Sequence, residues 1–207
     1  MKGAKGAPTR LTRRFGEAMA EALRLHGEQE RKGSRVPYLG HLLGTAALVL
    51  HFDGDEDQAI AGLLHDAAED QGGRPTLEAI RCRFGDRVAR IVEGCTDTFE
   101  RVKPPWRPRK EAYLEALRRE EEDVLLVSAA DKLDNARAIV ADLREVGEEI
   151  WDRFQGGCES LWYYRELAGV FARRLASLPG AGNLRAITRE LDATVTEMER
   201  LASSAPR

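Results

Sequence analysis

Cysteine, aromatic residues and long apolar runs are all scarce in this chain of 207 residues. Its three cysteines, Cys82, Cys95 and Cys158, are far apart, and an odd number without a CxxC pair argues against a disulfide framework. No apolar run approaches the ~18 residues that a membrane span needs. The basic N-terminus lacks the apolar segment that follows in a secretory signal. These absences predict a cytoplasmic protein that has no membrane partner.

A strong excess of charge of either sign is also missing, since the formal net charge is −3. No global field therefore marks nucleic acid as a partner. Charge is uneven only locally: residues 101–110 carry several cations and no acid, and acids occupy residues 120–123. The basic segment is either a solvated face or a binding site for phosphate groups. Within it we favour Arg107 and Lys110 as phosphate contacts.

Strong helix formers are abundant, and the chain is 43% apolar and 32% charged. Apolar positions recur at helical spacing, and no stretch shows convincing strand alternation. We therefore expect an all-α protein of about eight to ten helices. Residues 1–9 are predicted to be a flexible leader and residues 10–178 a helical domain. Residues 183–202 are predicted to form a terminal helix that packs on this domain or on a partner, which leaves homo-oligomer formation open.

One predicted helix, at residues 56–69, combines an apolar surface with several charged side chains near its C-terminal end. They are His65, Asp66, Glu69 and Asp70. Carboxylates are disfavoured at a helix C-terminus, and burial of unpaired charge costs several kcal/mol more. No lysine or arginine lies between Glu56 and Asp70. A bound divalent cation would supply the missing positive charge.

Two further polar residues lie in apolar helical segments. His41 opens the segment HLLGTAALVL, and Asp131 follows the apolar stretch from Val124 to Ala130. Alone, His41 is explained by core packing or capping, and Asp131 by an internal cap or a pair with Arg137. Together with His65 and Asp66, however, they make a mixed nitrogen and oxygen ligand set. Such a set suits manganese, iron, zinc or nickel, and a single metal is favoured because the remaining histidines lie near helix ends.

The order H…HD…D resembles the HD-domain phosphohydrolase superfamily. Four segments resemble more narrowly the hydrolase domain of the Rel/SpoT alarmone enzymes and the stand-alone small alarmone hydrolases. These segments are PYLGH (37–41), AGLLHDAAED (61–70), FGDRVARIVEGCTD (84–97) and AADKLDNAR (129–137). The resemblance implies that residues 10–178 form a helical HD domain with one manganese ion. It also implies removal of the 3′-pyrophosphate from guanosine tetra- or pentaphosphate.

Matching the motifs residue by residue implies roles for individual side chains. The metal ligands are His41, His65, Asp66 and Asp131. Glu69 and Asp70 match the pair beside the nucleophilic water, which makes them the catalytic candidates. The substrate contacts implied by the resemblance are Arg31, Lys32 and Asn135.

The chain departs from the family pattern on the substrate side. Leu42 follows the first histidine where proline is usual, and Ser128 replaces a lysine that commonly lies three residues before the last ligand. Asp134 replaces the aromatic residue or histidine that usually precedes the asparagine. These departures leave two alternatives open: turnover of another phosphorylated nucleotide, or nucleotide binding without turnover. The Glu69–Asp70 pair disfavours binding alone, because a binding module needs no water activator.

Overall fold

The computed structural model describes residues 9–178 and 180–203. Within these ranges the chain forms ten α-helices, one 3-10 helix and no strand beyond an isolated bridge between Glu30 and Pro37. The α-helices are α1 (Arg13–His26), α2 (Leu39–His51), α3 (Glu56–Leu64), α4 (Ala67–Asp70), α5 (Arg74–Phe84), α6 (Asp86–Cys95), α7 (Trp106–Leu117), α8 (Glu122–Val146), α9 (Glu159–Ala176) and α10 (Gly182–Ser203). The predicted all-α class is confirmed. The predicted leader lies, except for Thr9, outside the described residues.

The longest helix, α8, runs through the centre of the fold with its first half almost wholly buried. It packs against α2, α3, α6, α9 and α10. Residues 124–131 are all buried, among them Leu125, Leu126 and Val127. Each large aliphatic side chain buried in this way contributes about 1.5–3 kcal/mol to the free energy of folding. The same burial fixes the position of Asp131 at the end of this stretch.

A turn interrupts the helix that was predicted to be continuous over residues 56–69. The structure ends α3 at Leu64 and begins α4 at Ala67, so the predicted bounds were wrong. His65 and Asp66 occupy the junction, and Asp66 has ψ near −3° rather than a regular helical value. The upstream end of α3 is fixed by a reciprocal capping box between Asp55 and Gln58. The break turns His65 and Asp66 toward the same point.

The C-terminal helix α10 packs on α8 and α9. Its buried residues recur on one face and are Leu184, Ile187, Thr188, Leu191, Val195 and Met198. This face is therefore covered by the chain's own helices, while the proposed domain boundary near residue 178 stays a prediction. None of the helices in the described ranges has the length and apolar character that crossing a membrane requires.

Candidate metal centre and adjoining cavity

The four predicted metal ligands converge from three separate parts of the fold. His41 lies in the first turn of α2, His65 and Asp66 form the α3–α4 junction, and Asp131 lies on α8. Nε2 of His41 lies 3.3 Å from Oδ1 of Asp131, and Nε2 of His65 lies 3.0 Å from Oδ2 of Asp66. The other two nitrogen–oxygen pairs are 3.8 and 3.6 Å apart. The structure thus brings the four together, and their metal-binding role stays a prediction.

The hydrogen bonds of the two histidines favour metal binding through Nε2. His65 Nδ1 lies 2.8 Å from the carbonyl oxygen of Gly62, which only accepts, so Nδ1 carries the proton. His41 Nδ1 lies 2.7 Å from Oδ2 of Asp134 and donates in the same way. Both Nε2 atoms are buried and have no hydrogen-bond partner among the described residues. Two free imidazole nitrogens beside two carboxylates fit a divalent metal.

The pKa shifts within the cluster also favour metal binding. Burial lowers the pKa of both imidazoles, but the facing carboxylates outweigh it and raise the pKa of His65 well above its usual value and that of His41 as well. Burial raises the pKa of Asp66 and Asp131, yet His65 and the Lys132 ammonium reverse this and hold each carboxyl pKa below its ordinary value. The carboxylates therefore stay ionised, and a divalent cation would replace protons held on the imidazoles.

Two side chains that the sequence did not single out as functional hold these ligands. Tyr38 donates a hydrogen bond of 2.5 Å from its hydroxyl to Oδ2 of Asp66. Asp134, noted in the sequence only as a departure from the family pattern, accepts from His41. The signal available in the sequence was the position of Asp134 three residues after Asp131, because residues three apart on a helix share a face. Asn135 also meets Asp131, donating from Nδ2 to Oδ1 at 2.6 Å.

The catalytic candidates Glu69 and Asp70 lie on α4 and share one cation. Lys103 Nζ is 2.7 Å from Oε1 of Glu69 and 3.0 Å from Oδ1 of Asp70. The other oxygen of Glu69 accepts from the backbone N–H of Asp97 at 3.0 Å. A bound cation is therefore not the only source of positive charge for these two acids, because Lys103 arrives from a distant loop. Glu69 is half-buried, while Asp70 is exposed.

A cavity of about 470 Å³ adjoins the cluster. Asp66, Asp131, Glu69 and Asp70 form part of its wall. Among its lining residues are also several cations: Arg31, Lys32, Lys103, Arg109, Lys110, Lys132 and Arg153. This combination of acidic and basic walls suits a ligand that carries several phosphate groups and meets a metal. Lys132 and Arg153 were not singled out in the sequence as phosphate contacts, and Lys103 and Arg109 were considered only as members of the basic segment 101–110.

The five predicted substrate contacts do not all reach this cavity. Arg31, Lys32, Asn135 and Lys110 line it.

Arg107 does not lie among the described lining residues and turns the other way. Its guanidinium lies 3.3 Å from the centroid of the Trp162 ring and pairs with Glu111 at 2.8 Å. Lys110 therefore lies on the cavity wall, and its contact with phosphate stays a prediction, while Arg107 is engaged elsewhere on the surface.

Lys110 and Arg109 share a buried carboxylate. Both donate to Oδ2 of Asp97, whose side chain is almost fully buried. Burial lowers the pKa of Lys110 despite this carboxylate, and the nearby Lys132 lowers it further. The cationic wall is thus dense enough that its members repel one another, a condition that anionic phosphate groups would relieve.

The part of the chain that contains the candidate metal centre is similar to known proteins. The model of the HD domain family matches residues 18–156, a range that contains the whole candidate metal centre. The guanosine-3′,5′-bis(diphosphate) 3′-pyrophosphohydrolase of Xenopus tropicalis is 37% identical over 138 residues, which are 65% of this chain and 72% of that protein. The enzyme of the same name from Aquifex aeolicus is 38% identical over 116 residues, but the match covers 16% of its length.

Solved structures share the helical architecture. A structure described as a metazoan ortholog of SpoT that hydrolyzes ppGpp matches with a TM-score of 0.67 at 22% identity, over 93% of this chain and 97% of that one. A protein of Listeria monocytogenes EGD-e matches with a TM-score of 0.60 at 28% identity, over 77% of this chain and 98% of that one. These likenesses confirm the arrangement of helices that carries the cluster and the cavity.

Proposed function

This chain belongs to the HD-domain family, and on that premise we propose that it is a metal-dependent pyrophosphohydrolase acting on guanosine-3′,5′-bis(diphosphate). The observation that carries the proposal is the pair of unpartnered Nε2 atoms of His41 and His65 beside two carboxylates, at the wall of a cavity rich in cations. The names of the relatives in Xenopus tropicalis and Aquifex aeolicus support the choice of substrate.

We expect His41, His65, Asp66 and Asp131 to hold one divalent ion. The donor set admits several metals, and Mn²⁺ is our choice because the family resemblance implies it. When bound, such an ion supplies Lewis acidity toward a phosphoryl oxygen and lowers the pKa of water. The protein's part is to hold Nδ1 of each imidazole on Gly62 or Asp134, so that Nε2 faces the ion, and to keep both carboxylates ionised.

Glu69 and Asp70 are proposed to hold the attacking water and to accept its proton at a carboxylate oxygen. Their shared contact with Lys103 keeps them side by side on the cavity wall. Lys103 is well placed to exchange these contacts for a phosphate oxygen when substrate enters, which would free the carboxylates for the water. Phosphoryl transfer needs mainly such alignment and charge neutralisation.

The substrate's phosphates are proposed to meet the cationic wall. Arg31, Lys32 and Lys110 all line the cavity and come from two distant segments of the chain, so two phosphate groups of one nucleotide can be bound by different residues. Asn135 offers an amide next to Asp131. A cytoplasmic location and formation of a homo-oligomer stay predictions.

The test is a turnover assay at neutral pH with guanosine tetraphosphate and a panel of other nucleotides, with Mn²⁺ or with a chelator. Wild-type protein should release pyrophosphate from the tetraphosphate only with metal, and Asp66→Ala should abolish this. Glu145→Gln, an exposed change on α8, is the control. Turnover of a different nucleotide would keep the chemistry and replace the substrate. Metal binding without turnover of any nucleotide would reject the enzyme proposal in favour of a binding module.

A further inference from the structure

Resting on the proposed function, we propose that Asp134 is a positioning residue for the metal centre of this chain. It holds the His41 ring so that Nε2 faces the three other ligands. It also links that ring to Arg31, a proposed substrate contact that lines the cavity. This residue does not belong to the predicted ligand set, yet its carboxylate contacts a predicted ligand.

The contact between Asp134 and His41 has the geometry of a charged hydrogen bond. Oδ2 lies 2.7 Å from Nδ1, and the His41 side chain is only 1% exposed. A carboxylate on Nδ1 fixes the tautomer and makes Nε2 a stronger electron donor. His65 has only the neutral carbonyl of Gly62 in the equivalent place. The two histidines are thus supported unequally, and His41 has the stronger support.

A glycine on α2 leaves the space that Asp134 occupies. Gly44 lies one turn after His41, and a Cβ atom at this position would collide with Oδ1 of Asp134. Glycine inside a helix costs about 1 kcal/mol relative to alanine. Its presence here is explained by the close approach of the carboxylate to the helix backbone. This is an observation independent of the hydrogen bond to His41.

Asp134 also lies near Arg31, one of the proposed substrate contacts. The oxygen that accepts from His41 lies 3.4 Å from Nη1 of Arg31, and Nη2 of the same guanidinium donates to Asn135 at 2.7 Å. Asp131, Asp134 and Asn135 lie three and four residues apart on α8, on one face of the helix. One turn of α8 therefore carries a metal ligand, the support of a second ligand and the anchor of a proposed substrate contact.

The experiment measures Mn²⁺ affinity without nucleotide, from the electron paramagnetic resonance signal of unbound Mn²⁺. Asp134→Leu should weaken binding about 10- to 100-fold, the usual effect of losing a residue that supports a ligand. Asp134→Asn keeps an acceptor but loses the charge, so its loss should be smaller. Gly44→Ala keeps the carboxylate yet displaces it, and should weaken binding as well. Glu145→Gln removes one charge from an exposed site on the same helix and should leave the affinity unchanged.

A second readout separates positioning from general damage. The ring Nδ1–H of His41 should give a protected proton resonance in the ¹⁵N-labelled wild type, and Asp134→Leu should lose it while thermal unfolding with chelator stays cooperative. If Asp134→Leu does not fold, Asp134→Asn and Gly44→Ala decide the matter. Wild-type affinity in these variants would overturn the role of Asp134 alone. A wild-type protein that binds no Mn²⁺ would instead reject the proposed function on which the inference rests.

Discussion

Lys103 lies 2.7 Å from Glu69, although 34 residues separate them in the chain. The lysine comes from the irregular segment between α6 and α7, and the glutamate from the short helix α4. The same ammonium contacts Asp70, so one cation compensates two proposed catalytic carboxylates. This relationship makes the segment before α7 part of the proposed active site.

Lys103→Met tests that relationship. Loss of the ammonium takes away the cation that Glu69 and Asp70 share, leaves only Arg109 at 3.9 Å from Glu69, and removes a cation from the cavity wall. The value of kcat/KM for the tetraphosphate should therefore fall about 10- to 100-fold. That range corresponds to the loss of one charged hydrogen bond. Arg101→Met removes the same charge from an exposed position in the same segment and should change little. Steady-state kinetics on both variants is the measurement. Equal losses of activity in Lys103→Met and Arg101→Met would contradict the assignment.

Metal affinity should rise with pH across the neutral range. The facing carboxylates raise the pKa of His65 and His41 despite burial, so without metal the imidazoles hold protons to higher pH than free histidine does. Metal binding requires neutral imidazoles and releases these protons, so the affinity should improve by about tenfold per pH unit for each proton released. Titration calorimetry in buffers of different ionisation enthalpy counts the protons. A pH-independent affinity would mean that the imidazoles are already neutral.

Lys110→Ala and Arg107→Ala should have different effects, although the sequence favoured both residues as phosphate contacts. Lys110 lines the cavity, so its loss should raise KM by about tenfold or more. Arg107 stacks on Trp162 and pairs with Glu111, so its replacement should change KM by less than about twofold. Substrate titration of both variants is the measurement. A large KM effect from Arg107→Ala would mean that the side chain moves into the cavity when substrate binds.

Gly62→Val should destabilise the fold by about 1–3 kcal/mol, because it overpacks the contact between α2 and α3. A Cβ atom at Gly62 would lie 3.2 Å from Cα of Ala46, and its two further methyl groups make the crowding worse. Gly16→Ala is the matched control: its Cβ meets nothing within 4 Å, and the gain in helix propensity should make it neutral or stabilising. Urea unfolding with chelator present measures both. Equal free energies of unfolding for Gly62→Val and Gly16→Ala would show that α2 and α3 move apart without an energetic cost.

The all-α class and the four members of the candidate metal cluster were predictable from the sequence. Helical periodicity is local, because residues three and four apart share a face whatever the rest of the chain does. A carboxylate or imidazole inside an apolar helix must find a partner, which is why His41, His65 and Asp131 stood out together. That argument needs the residue and its immediate neighbours only.

The tertiary structure decided which groups contact those polar residues. The sequence contained no local cation for Glu69 and Asp70, yet Lys103 reaches both from another segment. Asp134 was recognisable only as an unusual residue until α8 packed against α2 and placed it on His41. Arg107 and Lys110 look alike in the sequence, but α7 directs one to Trp162 and the other to the cavity. Ion pairs across elements depend on how helices pack, and periodicity along one helix carries no information about the side chains of its neighbours.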